Sequence, residues 1–291
     1  MTTNVLFDAP GPKARARNRV YGAVSALAIL GLLAFIIHRL DVTGQFQHSL
    51  WDTYQYNDTQ ERILEGLLTT LKTFAFAAAF SLAFGALLAT ARLSDHRPVR
   101  WAATVVVEFF RAMPLLIMIF LLSAAIFTTE PMWALVIGLT LYNGSVQAEI
   151  FRSGIKALPK GQSEAAYAIG LRKTQVMTGI LVPQAVRSML PSIISQLVVT
   201  LKDTSLGFII LYEELLYVGK GFAQQQPPVG GVYAYIPMMI IFGSIYIVLC
   251  LALSGIANWI ERRTKRSRKG APPAPPVAVE LGNAAGAGPA A

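Results

Sequence analysis

The stretch Gly161–Ala185, GQSEAAYAIGLRKTQVMTGILVPQA, is a polar and patterned insert between apolar runs long enough to cross a bilayer. Ser163 stands where it can cap a helix beginning at Glu164, and the Glu164 carboxylate suits the positive end of a helix dipole. Ala165, Ala166 and Ala168 favour helix and present a low surface that another backbone can approach. Gly170 is placed as the left-handed residue that ends the helix, because it carries no Cβ penalty there. A second helical turn is expected near Arg172, with Pro183 restricting Val182 and resetting the chain before the next span. So short a helix is unstable alone in water. It is held by span ends, as a structural loop, or by a groove in a partner protein.

The rest of the chain supplies the setting. Of 291 residues 54% are hydrophobic and 14% charged, too little polar surface for a soluble domain of this size. A hydrocarbon core of about 30 Å takes roughly 20 apolar residues at about 1.5 Å each. Spans are therefore predicted over 20–38, 65–91, 101–127, 132–151, 188–211 and 235–259, an all-α polytopic membrane protein of about six transmembrane helices. The first span follows KARARNR, like the basic start of a signal peptide, but IIHRLDVTG offers no small-residue cleavage pattern, so a retained anchor is expected.

Charge orients these spans. Lys and Arg number four in 13–19, three in 92–100, six in 152–187 and six in 262–269, against Arg39, Arg62 and Lys220 in the alternate segments. The bias places the N- and C-termini in the cytoplasm by the positive-inside rule. It also accounts for the net charge of +9 without nucleic acid. Residues 1–19 and 262–291 read as disordered cytoplasmic ends, 20–40 as the first helix, 41–62 as an extracytoplasmic connector and 63–261 as the core, with the loop 160–185 inside the cell. In the connector, Trp51, Tyr54 and Tyr56 anchor at the interface or meet an external partner. Cys250 is the one cysteine, and His38, His48 and His96 lack ligand spacing, so no metal site is expected.

Ionisable groups inside spans are costly and face a cavity or a partner. Glu108 and Arg111, three apart, form a structural pair or line a pathway that Pro114 loosens. Lys72 snorkels or meets substrate. Lys202, Asp203, Thr204 and Ser205 interrupt the fifth span about two-thirds of the way across, a break tolerated only beside protein or water. A lysine there suits a carboxylate. Asn143 and Gln147 share a helical face and hydrogen-bond either a zwitterion or neighbouring helices, with Glu149 and Arg152 paired nearer the membrane edge.

At this point the residues resemble a family. EAAYAIGLRKTQVMTGILVPQA resembles the EAA loop of bacterial ABC-importer permeases at Glu164, Ala165, Ala166, Gly170, Ile180 and Pro183. EFFRAMPLLIMIF, LYNGSVQAEIFRSGIKALPKGQSEAA and TLKDTSLGFII are similar to the permeases for polar amino acids (histidine, glutamine, arginine or glutamate), over about residues 63–260. The resemblance implies a five-helix type I importer permease core, here with one additional N-terminal helix. It implies that the loop docks on two separate ABC ATPase subunits, which bind ATP and Mg, and that this chain has no catalytic residue or cofactor. It further implies a second permease subunit, identical or homologous, and an extracytoplasmic solute-binding protein. Two departures, the additional first span and NGSVQAE where the family often shows G-A-Y-x-A-E, bear on the substrate; an extended N-terminal region resembles glutamate permeases, so glutamate or aspartate is expected first. The chain has no G-x-x-x-x-G-K-[ST] phosphate loop, so ATP energy would enter through a partner. A self-sufficient ion-coupled carrier is the alternative, though no internal duplication is visible.

Overall fold

The computed structural model describes residues 11–225 and 232–266. Among them every regular element is helical: α1 Pro12–Val42, α2 Asn57–Arg92, α3 Arg97–Ala112, α4 Leu115–Ala125, α5 Pro131–Lys156, α6 Lys160–Ala168, α7 Lys173–Val176, α8 Val182–Asp203, α9 Leu215–Gln225 and α10 Tyr235–Arg266. Four helical runs are long and apolar enough to cross a membrane, namely α1, α2, Lys173–Ile210 and Tyr235–Ala257. The α3–α4 pair adds a fifth, broken one. α5 has 26 residues, about 39 Å at 1.5 Å each, and reaches across without being apolar throughout. α2, α3, α4 and α8 surround it, so Asn143, Ser145 and Gln147 are buried in protein and never meet lipid. The expected count of about six stands on that helix.

α2 and α5 pack most intimately, because small residues let them approach. A Cβ on Gly85 would lie 2.9 Å from the Gly144 carbonyl oxygen, and one on Gly144 would lie 3.1 Å from that of Ser81. Close backbone approach through glycine is how helices gain van der Waals contact where no hydrophobic drive separates them from lipid.

Three expectations are corrected. The segment 101–127 is not one continuous helix: α3 and α4 meet at 97°. Pro114 has no N–H and forces Met113 into extended backbone, ψ 128°. Residues 12–19 are helical, not disordered; Pro12 opens α1 at a favoured first-turn position and Lys13 to Arg17 are good helix formers. The disorder expected for 1–11 and 262–291 falls mostly on 1–10 and 267–291, outside the described residues; 262–266 continue α10. Finally, Lys202 and Asp203 do not interrupt a helix. α8 runs through both and tightens to a 3₁₀ turn only at Thr204–Ile210. Thr204 and Ser205 donate their hydroxyls to the carbonyls of Leu201 and Lys202, which lets the ladder change pitch without orphaned acceptors.

No residue of α1 is buried. Just past its end, Gln45 joins the bundle, donating to the Tyr233 carbonyl at 3.2 Å and accepting from the Ile236 N–H at 3.3 Å. In the connector Tyr54 packs edge-on against Phe222 of α9, ring centroids 6.3 Å apart. Burial there pushes its phenol up to about 12. Trp51 is half-buried and Tyr56 exposed.

Candidate functional site

The loop singled out by sequence is a small platform. α6 begins at Lys160, four residues earlier than expected; Pro159 precedes it, and Ser163 is an interior residue donating back to the Lys160 carbonyl at 2.8 Å. Glu164 therefore sits mid-helix on the exposed side. Gly170 has φ +85° and ends the helix as expected, its N–H bonded to the Tyr167 carbonyl at 2.9 Å and that of Leu171 to the Ala166 carbonyl at 3.2 Å. α7 follows, with the Gln175 side chain accepting from the Arg172 N–H at 2.9 Å.

What makes so short a helix stable is its own satellite core. Buried Ala166, Val176 and Leu181 pack with Leu158, Leu171, Met177 and Ile180. Ala166 and Ile180 thus hold the platform together, while Glu164, Ala165, Tyr167, Ala168 and Ile169 face outward, Ile169 being 77% exposed. Pro183 does not reset the chain. Val182 stays helical at φ −59°, ψ −47°, because a π turn over Met177–Leu181 widens the ladder around the missing N–H. Gln184 donates its amide to the Ile180 carbonyl at 3.0 Å. The platform is continuous with α8.

A second connection runs sideways. Lys173 donates to the Leu93 carbonyl at 3.2 Å and pairs with Asp95 in the turn between α2 and α3. The hydrogen bond from Lys173 holds the Asp95 carboxyl below the usual carboxylate range, nearby Arg100 and His96 adding to the effect.

Behind that turn lies an ionic chain. Arg111 reaches Glu108 at 3.5 Å, Glu108 reaches Arg92 at 3.3 Å, Arg92 reaches Glu149 at 2.9 Å, and Glu149 takes Arg152 in a fork at 2.6 and 3.0 Å. The Glu108–Arg111 and Glu149–Arg152 pairs follow from spacing. Arg92, whose side chain is 8% exposed, joins them and was not anticipated. Its Nη1 lies close to Glu149 without an aligned N–H, so the 2.9 Å contact is one of charge. The chain ties α2, α3 and α5 at one level.

The remaining expected residues divide. Gln196 of α8 donates to the Asn143 side-chain oxygen Oδ1 at 2.7 Å, and Gln147 donates to the Ile193 backbone carbonyl at 3.3 Å. Asn143 Nδ2 and Gln147 Oε1 stay buried without a hydrogen bond. Lys202 points into a cavity of about 480 Å³ shared with Phe242, Tyr246 and Cys250 of α10. Asp203, next to Lys202 in α8, is half-buried and lines no part of that cavity. Lys202 and Asp203, adjacent in sequence, thus serve different spaces.

Sequence reasoning missed the anchoring of α9. Glu214, fully buried, accepts from the N–H groups of Leu216 and Tyr217 at 2.9 and 2.8 Å and from the Tyr246 hydroxyl at 2.8 Å. Thr70 accepts from the Leu215 N–H at 3.0 Å, and Tyr212 shares a hydrogen with Thr73 at 2.8 Å. An acid directly before LLYVG is a helix-start signal. Among the described residues no group of three His, Cys, Asp or Glu side chains is arranged to hold a metal ion.

Comparison with known proteins places this geometry. The chain is 40% identical to the glutamate transport system permease protein GluD of Corynebacterium glutamicum over 237 residues, 79% of this chain and 85% of that one. It is 33% identical to the arginine transport system permease protein ArtQ of Bacillus subtilis over 210 residues, 70% of this chain and 92% of that one. A crystal structure of an amino acid ABC transporter with histidines superposes with a TM-score of 0.63 at 27% identity, over 70% of this chain and 94% of that one. Residues 81–266, more than half of the chain, match the binding-protein-dependent transport system inner membrane components, and the chain belongs to that family.

Proposed function

We propose that this chain is the permease subunit of an ATP-driven importer of polar amino acids, glutamate or aspartate first, and that separate ATPase subunits grip it by α6. The observation that carries the reading is the platform itself: outward Ala165, Tyr167, Ala168 and Ile169 on a helix whose other face is already filled by its own core. Such a surface is an anchor for a groove. The substrate crosses unchanged, so the chain is a transport subunit. In this reading it sits in the bacterial cell membrane with both termini in the cytoplasm. Two ATPases carry ATP and Mg, a second permease completes the pathway, and a solute-binding protein delivers substrate outside. Glu164, Ala165, Ala166, Gly170, Ile180 and Pro183 build the grip. Asn143, Gln147, Asp203, Lys202, Thr204 and Ser205 border the pathway, and Glu108 and Arg111 belong to the ionic chain beneath it.

Closure of the ATPases pulls the platforms together. α7 and the π turn pass that movement directly into α8, whose far end carries Asp203. The glutamate preference is supported by the match to GluD. The test is a crosslink from Ile169→Cys, in a chain with Cys250→Ser, to its co-expressed ATPase, together with glutamate uptake by vesicles that hold the full set of subunits. A nucleotide-sensitive crosslink and ATP-dependent uptake are expected. Uptake by the lone chain under an ion gradient would make it a carrier instead.

A further inference from the structure

At the end of the bundle away from the platform, the first half of α2, the start of α5, the turn 211–213 and α9 enclose a cavity of about 810 Å³. Arg62, Glu65, Thr69 and Lys72 line it at spacings of three, four and three, which is one face of α2. Glu213 and Tyr217 face them from the other wall. Two cations and two carboxylates therefore converge on one space. Among the described residues none of the four forms an ion pair or a side-chain hydrogen bond. That sets them apart from the charges near the platform, where Arg92, Glu108, Arg111, Glu149 and Arg152 are all paired.

Depth gives the contrast its meaning. Lys72 precedes Arg92 by 20 residues of unbroken helix, about 30 Å at 1.5 Å each, the thickness of a hydrocarbon core. The cavity consequently opens at the far membrane boundary. Charges left unpaired at such a place are held for water or for a ligand of complementary charge. An α-amino acid offers an ammonium and a carboxylate a few bonds apart, and an acidic one adds a second carboxylate. The lining offers two cations, two carboxylates and phenols, inside the size range of small-molecule sites.

We propose that this cavity is an entry site for an acidic amino acid, with Lys72 and Arg62 taking its two carboxylates and Glu65 or Glu213 its ammonium. The proposal rests on the importer reading above. It adds a stop outside the buried Asn143 cluster, where substrate is held after release at the far face.

The test uses the assembled transporter with its ATPases, and radiolabelled L-glutamate and L-glutamine as probes. Binding is measured by equilibrium dialysis without the solute-binding protein, and uptake in vesicles with it. For the double variant Arg62→Gln, Lys72→Gln, glutamate binding should weaken at least about tenfold and glutamine binding by less, since one carboxylate contact is lost for glutamine and two for glutamate. Arg62→Lys with Lys72→Arg should restore most of it, which separates charge from folding. Unchanged glutamate binding overturns the site while leaving the importer reading intact. So does a change confined to the amount of solute-binding protein needed for half-maximal uptake, which would make the cavity a docking surface. A wild-type assembly that takes up no amino acid removes the importer reading and the site with it.

Discussion

Lys173 Nζ lies 2.5 Å from Asp95 Oδ1, so the second helix of the platform is pinned to the turn that joins α2 to α3. The platform has two outputs. One is axial, through the π turn into α8; the other is lateral, through Asp95 to the end of α2, where Arg92 gathers α3 and α5. A load on α6 is thereby spread over four helices.

Asp95→Asn should loosen the lateral output and spare the axial one. Hydrogen exchange over 171–177 is expected to accelerate, and uptake to fall a few-fold, with membrane abundance unchanged. The pH dependence has a definite sign. The folded Asp95 carboxyl is held below its usual value by Lys173, so the tether is fully present above the ordinary carboxylate pKa of about 3.9. It is lost as pH falls through the lowered folded value. Protection of 171–177 that changed between pH 5 and 8 on account of Asp95 would contradict this.

Arg92→Met should strand Glu108 and Glu149 beside a methionine. Breaking a fully buried pair costs about 3–5 kcal/mol. Glu108 is half in solvent, and screening reduces the loss here to about 2 kcal/mol. Arg92→Lys should recover little, because a single ammonium cannot span two carboxylates as the guanidinium fork does. Thermal unfolding in detergent reads both; a variant lysine as stable as wild type would refute the bridging role.

Apolar patterning and local chemistry made much of this legible. Gly170 could be read as a left-handed terminator because few other residues tolerate that backbone, and the structure puts it at φ +85°. The apolar runs located the spans. What stayed hidden depends on partners far away in sequence. Arg92 looked like one more basic residue of a loop until α3 and α5 brought it two carboxylates. Glu214 is buried where α2 and α10 close over the start of α9: Thr70 takes the neighbouring Leu215 N–H, and Tyr246 donates to the carboxylate. The bend at Pro114 was noted as a loosening, yet an angle of 97° follows from packing on α5 and not from the proline alone. Pro183 misled in the opposite direction, since a π turn absorbs it.

Gly170→Val should sever the platform's geometry without removing a contact. A Cβ there would meet nothing within 4 Å, so the penalty is conformational, about 1–2 kcal/mol for a left-handed residue. Abundance should be retained while uptake and co-purification of the ATPase fail. Gly170→Asn, which tolerates the left-handed region, should retain most activity. Equal loss in both variants would show that the surface at 170, not its backbone, is what matters.

Glu214 and Tyr246 give a prediction about the far end. The fully buried carboxylate satisfies two otherwise unbonded N–H groups at the start of α9 and one phenol of α10. Glu214→Gln leaves one acceptor oxygen and turns an amide toward donors, an expected loss of about 1–3 kcal/mol. Tyr246→Phe removes one hydrogen bond, about 1 kcal/mol, and leaves the cap in place. Because both act on one carboxylate, the double variant should fall short of the sum. Hydrogen exchange over 215–225 should rise strongly for Glu214→Gln and weakly for Tyr246→Phe. If the two variants open α9 equally, the phenol and not the helix start is what Glu214 serves, and the wall that α9 contributes to the outer cavity would be held by α10 alone.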